Sequence, residues 1–130
     1  MSVSFDPSQG LIVVPARLHG PSGDVIARLA LDTGATGTMV NWDLLVLIGY
    51  DPAAVQARIQ VTTGSGVEYV PRVPVQQIEC LDSQRQNFPI LCHTLPPTAM
   101  VDGLLGLDYL RGSRLKVDFA NGTIDVDEGA

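Results

Sequence analysis

The chain has 130 residues, 45% of them apolar and 17% charged, a composition that can bury one core and excludes both a disordered chain and a multidomain enzyme. Eight basic against fourteen acidic side chains leave a formal charge of −6, which offers no broad positive field to a phosphate backbone and argues against a nucleic acid partner. The longest apolar runs, Leu11 to Ala16 and Leu44 to Ile48, fall far short of the roughly 20 residues a membrane span needs. The first residues lack the cationic-then-apolar pattern of a secretory leader. The expectation is one cytoplasmic domain over 1–130, with no membrane contact.

Leu11–Leu18 and Val25–Leu31 read as strands, and the turn formers His19–Asp24 between them predict a hairpin. Asn41 in a capping position predicts a helix over Trp42–Ile48 ended by Gly49, and Asp51-Pro52 predicts a second helix of a turn or two. Ile59–Tyr69 reads as strand, glycine-rich tip, strand. From Val67 the apolar residues hold odd positions (Val67, Tyr69, Val73, Val75) and then even ones (Ile78, Cys80), as an inserted residue near Gln76-Gln77 would cause. Pro71 and Pro74 cannot donate to a ladder, so this long strand should have an exposed edge or project as an arm.

Phe88–Thr94 reads as a strand with Phe88, Ile90 and Cys92 on one face, and Gly103–Arg111, closed by Gly112, as a third helical run. Lys116–Val126 is split by Asn121-Gly122, which predicts a type I′ hairpin in preference to a glycan acceptor. The sum is an all-β fold with two or three short helices. Cys80 and Cys92 read as small buried hydrophobes. With His93 they lack the second closely spaced ligand pair of a metal site, so no metal or cofactor is expected. His19 falls in a turn, and Trp42 reads as a packing residue.

Chemistry concentrates at Arg28–Thr36, where an apolar strand runs directly into Asp32, Thr33, Gly34 and Ala35. A carboxylate at a strand end beside a core costs several kcal/mol unless hydrogen-bonded, paired or protonated, and Thr33 and the Gly34 amide are the groups at hand. About seventy residues on, Met100–Leu110 carries Leu104-Leu105-Gly106 and then Gly106-Leu107-Asp108-Tyr109-Leu110.

In content and order these landmarks resemble the retropepsin-like aspartic proteases, from about Leu11 to Val126. Leu31–Ala35 is similar to their catalytic signature, Thr63, Gly64, Ser65 and Gly66 stand where a substrate-binding flap tip is expected, and Leu104, Leu105 and Gly106 resemble their hydrophobic-hydrophobic-glycine motif. The resemblance implies a closed, β-barrel-like retropepsin fold, with Asp32 catalytic and Thr33, Gly34 and Ala35 supporting it. The chain has one Asp-Thr-Gly; Asp82-Ser83 is followed by Gln84, and Asp102 directly by Gly103, so neither is a second copy. A two-fold homodimer would set Asp32 against Asp32 of the partner subunit. That pair would share a proton, one member activating water and the other donating to the oxyanion as an extended peptide or protein substrate is hydrolysed. The alternative is an inactive dimerisation or peptide-binding module in which Asp32 is a structural hydrogen-bonder.

Thr36 and Leu107 stand where viral members commonly carry a paired Asp and Arg, which points to a bacterial or cellular branch. The terminal acids Asp118, Asp125, Asp127 and Glu128, with no base after Lys116, predict like-charge repulsion between chain ends and a dimer weakened at neutral pH.

Overall fold

The computed structural model describes residues 2–63 and 66–128. Gly64 and Ser65, half of the expected flap tip, lie outside the described residues. In chain order the strands are β1 (Ser2–Ser4), β2 (Val13–Gly20), β3 (Gly23–Leu31), β4 (Met39–Val40), β5 (Arg58–Thr63), β6 (Gly66–Cys80), β7 (Ser83–Cys92), β8 (Gly103–Leu105), β9 (Ser113–Asp118) and β10 (Thr123–Glu128). Helix α1 (Trp42–Leu47) follows β4, α2 (Leu107–Leu110) follows β8, and single 3-10 turns form at Pro52–Ala54 and Pro97–Ala99.

Seven strands form one sheet in the order β2-β3-β8-β4-β7-β6-β5, and a further β2–β6 pairing closes six of them into a barrel. A second sheet, β1-β10-β9, joins the two ends of the chain. Alternate residues of the barrel strands fill the interior: Val14, Ala16 and Leu18 from β2, Ala27 and Leu29 from β3, Val73, Val75 and Ile78 from β6, Ile90 from β7 and Leu105 from β8 are all buried. Closure removes most of the exposed edges an antiparallel sheet would otherwise present. The fold is thus the all-β barrel the sequence implied.

The β2–β3 hairpin is tighter than expected. Gly20 pairs with Gly23, so Pro21-Ser22 alone forms the loop. Helix α1 starts where predicted, but Asn41 does not cap it. Its side-chain oxygen accepts the Leu95 amide at 3.2 Å, and the Trp42 amide goes to Thr94 Oγ1 at 3.1 Å.

The phase change in β6 is real, yet no residue is inserted. Val75 pairs with Phe88 and Gln77 with Gln86 in one unbroken register, leaving Gln76 opposite Asn87. Both strands switch faces at that point: Asn87 takes a positive φ of 51°, and Tyr50 Oη accepts the Gln76 amide at 2.7 Å while donating to the His19 carbonyl. Burial on β7 changes from odd to even positions in step.

β7 begins at Ser83, five residues before the apolar pattern reaches Phe88. The turn before it, Leu81-Asp82, has φ of 51° and 60°, so the primed-type hairpin turn occurs there. Asn121-Gly122 lies instead in a four-residue loop, because Asp118 pairs with Thr123 and only Gly122 is left-handed, at φ 69°. The Asp118 carboxylate accepts the Ala120 and Asn121 amides, both at 3.0 Å, and fixes that loop.

The helix expected over Gly103–Arg111 is half strand. β8 pairs parallel to β3 and antiparallel to β4, and a Cβ on Gly103 would lie 2.0 Å from the Met39 carbonyl oxygen. Only Leu107–Leu110 is helical. Its Tyr109 is buried, donates through its hydroxyl to the Cys80 carbonyl at 2.8 Å and packs edge-on to Phe88.

The acids at the carboxyl end are not an unopposed cluster. Arg114 stands across the ladder from Asp127 and Lys116 from Asp125, on one exposed face, while Asp118 is held by its own loop. Two of the four acids thus face a base across the ladder of their own chain.

Candidate functional site

β3 carries the chain to Asp32 along β8, where Leu31 pairs with Leu105 and the Asp32 amide extends the ladder by donating to the Leu105 carbonyl at 3.0 Å. The chain then turns sharply: the Ala35 amide donates to the Asp32 carbonyl at 3.2 Å, and the Gly34 amide donates to Asp32 Oδ1 at 2.8 Å. A Cβ on Gly34 would stand 3.1 Å from that oxygen, close enough that the carboxylate would have to give by a few tenths of an ångström. Asp32 and Ala35 are half-buried, whereas Thr33 and Gly34 are exposed.

The loop is tied to the segment around α2 by a second carboxylate. Asp108 Oδ1 accepts the Thr38 amide at 3.0 Å, the Thr38 hydroxyl at 2.7 Å and the Tyr109 amide at 2.8 Å. Thr38 is fully buried, and its Oγ1 in turn accepts the Gly106 amide at 3.1 Å. The Leu107 amide donates to the Ala35 carbonyl at 2.8 Å and the Asp108 amide to the Thr36 carbonyl at 3.3 Å. Gly106 sits so close that a Cβ would lie 2.7 Å from the Gly37 carbonyl and 2.9 Å from Ala35 O. Of its neighbours in the motif, Leu105 enters the core and Leu104 is half-buried beside the loop.

Sequence reasoning missed the Thr38–Asp108 pair. An acid two residues past Gly106 at the start of a short helix was its signal, but nothing in the sequence joins it to a threonine 70 positions earlier. The pair ties the two segments that a viral-type Asp and Arg would join, now from Thr38 and Asp108 in place of Thr36 and Leu107. Asp102, by contrast, is committed to the strand ends: its Oδ2 accepts the Arg28 amide and its own amide donates to the Arg28 carbonyl, both at 2.8 Å.

Asp32 opens on a cleft of about 480 Å³ whose walls include Met39, Leu91 and Leu104 from the barrel and Ile59 and Val61 from β5. β5 pairs with the first part of β6, Gly66–Pro71, which has no other partner strand, so the two form a two-stranded arm beside the cleft. Thr63 pairs with Gly66 at its end, and Gly66 has φ 117°. The arm's Val70 is buried, and Glu68 approaches His93 Nδ1 at 3.6 Å, joining the arm to the end of β7.

The chain's other reactive groups lie elsewhere. Burial pushes the Cys80 thiol up to about 12 and the Cys92 thiol up to about 11, which keeps both unreactive at neutral pH. Both are free. Among the described residues no group of three His, Cys, Asp or Glu could hold a metal, and no helix is long and apolar enough to cross a membrane.

A half-buried carboxylate at a strand end, facing a cleft lined on one side by a hairpin arm, now has a family to stand in. The family model of the aspartyl proteases matches residues 14–109, from the first core position of β2 to the buried Tyr109 of α2. The chain belongs to the aspartyl protease family. Its fold is retropepsin-like: a retropepsin-like aspartic protease from Rickettsia conorii superposes with a TM-score of 0.69 at 14% identity, over 95% of this chain and 86% of that one. No curated protein matches the chain in sequence. Within this family member, Asp32, Thr33, Gly34 and Ala35 form one loop, Gly106 packs directly on it, and the described part of the Thr63–Gly66 tip closes the arm beside the same cleft.

Proposed function

We propose that this aspartyl protease family member is a homodimeric endopeptidase, a single catalytic domain over 1–130, with Asp32 of each chain forming the catalytic pair. The observation that carries the reading is the setting of Asp32: it ends β3 inside a cleft, and among the described residues its carboxylate accepts one amide, that of Gly34. Asp108, which ties the loop to α2, is more fully bonded, and Asp102, with one amide of its own, lines no part of the cleft. Asp32 keeps an oxygen for water and for a second carboxylate.

One chain supplies one such acid, so a two-fold contact is the economical source of the other. Two carboxylates in hydrogen-bonding reach share one proton. The ionised member takes a proton from water as it attacks the peptide carbonyl. The protonated member donates to the developing oxyanion, and the proton is returned to the leaving amine. Gly34 and Ala35 keep the loop backbone close to the reacting water, and Thr33, exposed in the single chain, is free to meet its counterpart across the axis. The arm, with Thr63, Gly64, Ser65 and Gly66 at its tip, acts as a flap that lays backbone groups along an extended peptide. The open edge of β5 beside the cleft supports that role. Free cysteines with buried thiols suit a reducing, cytoplasmic setting.

The test is cleavage of a mixed peptide library read by mass spectrometry, wild type beside Asp32→Asn, from pH 4 to 8 and over a dilution series. Cuts that vanish in the variant and whose rate per chain falls on dilution are the expected result. A folded wild type with no Asp32-dependent cuts would leave a peptide-binding or dimerisation module.

A further inference from the structure

Side chains alternate along a strand. With Ala27 and Leu29 of β3 buried in the barrel, Ile26, Arg28 and then Asp32 fall on its outer face. Arg28 and Asp32 are four residues apart, about 13 Å along an extended chain. The segments beside β3 flank this stretch. On one side Val13 pairs with Ala30 and the Leu31 amide bonds the Ile12 carbonyl, so Leu11–Val13 runs from beside Asp32 back toward Arg28. On the other side Leu104, which lines the Asp32 cleft, pairs with Ala30, and the Asp102 amide bonds the Arg28 carbonyl, which sets Met100 and Val101 next to Arg28.

Leu11, Val13, Met100 and Val101 wall a hollow of about 390 Å³ in which Arg28 is the one charged side chain. A second hollow, of about 470 Å³, continues from it past Gln9, Val13 and Arg28 toward Phe5, Asp6 and Pro15. Arg28 therefore stands part-way along a groove and does not close its end. Its Nη1 donates to the Met100 carbonyl at 3.4 Å, and among the described residues no carboxylate lies within ion-pair reach of its guanidinium. Arg17, on the same outer face, is different, since Asp24 and Glu79 both approach it. The acids near Arg28 are otherwise engaged. Asp102 accepts the Arg28 amide, and Asp6, at the far end of the groove, accepts the Ser8 amide and hydroxyl at 2.9 and 2.6 Å. An exposed guanidinium between apolar walls, with donors to spare, is a receptor for a carboxylate carried on an apolar stem.

We propose that Arg28 is a specificity-determining residue: its guanidinium takes the carboxylate of one glutamyl or aspartyl side chain, about four residues from the bond cleaved, in a substrate lying along the outer face of β3. This rests on the protease reading and deepens it by naming a chemical class of substrate. The acid belongs to a side chain within the peptide, not to its carboxyl terminus, because the groove runs on beyond Arg28 and leaves room for the chain to continue. Asp6 at the far end repels a further acid there, so a single acid is selected, not an acidic run. In the two-chain enzyme Arg28 occurs twice, and the two-fold axis offers one copy on each side of the scissile bond.

Binding tests this without requiring turnover. Fluorescently labelled dodecapeptides, capped at both ends and apolar at the centre, carry one Glu walked along the chain, each with a Gln twin and a Lys twin. Their affinity for the Asp32→Asn chain is read by anisotropy at low salt. The expected result is a preference of about fivefold for Glu over Gln when the acid stands about four residues from the centre, shrinking as salt is added. Arg28→Gln on the same background should level that ratio, and Arg28→Glu should turn it toward the Lys twin. Arg28 is exposed, and circular dichroism checks that both variants fold. Equal affinity for Glu and Gln at every position, a preference that survives Arg28→Gln, or no peptide binding by the folded chain overturns the proposal. Cleavage of the same peptides by the wild type is scored separately. Asp32-dependent cleavage with no Arg28-dependent preference removes the acid subsite and keeps the protease. An Arg28-dependent preference without any Asp32-dependent cleavage keeps the subsite and removes the protease.

Discussion

Asp32 and Asp108 belong to one hydrogen-bonded unit and are treated in opposite ways. Asp108 gives a single oxygen three donors, two of them from the fully buried Thr38. Asp32, at the mouth of the cleft, receives the Gly34 amide. The first carboxylate spends its capacity on holding the loop to α2; the second retains capacity that a water and a partner acid can use. A site of this kind needs both, because an under-bonded acid is useful only if its loop cannot relax to satisfy it.

Replacing either acid therefore breaks different things. Asp32→Asn keeps the shape of the carboxyl and removes its acid–base chemistry, so peptide cleavage should fall by about a thousandfold, with an unchanged thermal midpoint by calorimetry. Asp108→Ala should do the reverse. It strands the buried Thr38 groups and costs about 2–3 kcal/mol of stability, measurable by urea unfolding, while Asp108→Asn, which can still accept, recovers part of that loss. Gly106→Ala forces a methyl against the Gly37 and Ala35 carbonyls and should cost about 1–3 kcal/mol, with cleavage declining alongside stability.

Asp102 sharpens the contrast. It too flanks the strand pair that carries Asp32, yet its bonds run to the Arg28 backbone, and an asparagine oxygen can accept the same amide. Asp102→Asn should leave cleavage within about twofold of wild type. The smallest effect is expected at Asp118, where the Asn121 amide and side chain hold the carboxyl below the usual carboxylate range. A depressed acid contributes its share of stability above its unfolded value and loses it as pH falls through the folded one. The protection of the Ala120 and Asn121 amides, taken against intrinsic exchange at each pH, should therefore fall at acid pH in the wild type, and Asp118→Asn should flatten that dependence.

Local sequence signals carried far in this chain. The apolar run into Asp32, the Pro21-Ser22 hairpin, α1 and the β5–β6 arm are short-range features with their own turn formers and periodicity. Failures came where tertiary packing overrode them. Gly103–Leu105 reads as the start of a helix because a continuous apolar run has no period of its own, and only the slot between β3 and β4 makes it a strand. Asn121-Gly122 offered a two-residue turn, but the Asp118 carboxylate organised a longer loop, and the primed geometry fell to Leu81-Asp82. β1 is three residues without an apolar pattern, formed by its register with β10 alone. The site itself was half legible: Asp32–Ala35 and Leu104–Gly106 stand out as motifs, whereas the Thr38–Asp108 tie is a contact across 70 residues between ordinary polar side chains.

The proposed site, built from Asp32 of two chains, has its own stoichiometric signature. The direct test mixes wild type with Asp32→Asn at fixed total concentration, lets the chains exchange, and follows peptide cleavage against the wild-type fraction. If the site needs both acids, activity follows the square of that fraction and an equal mixture retains about a quarter of the wild-type rate. A linear fall, with about half the rate at equal mixing, would mean that each chain works with its own Asp32 alone and would contradict the account.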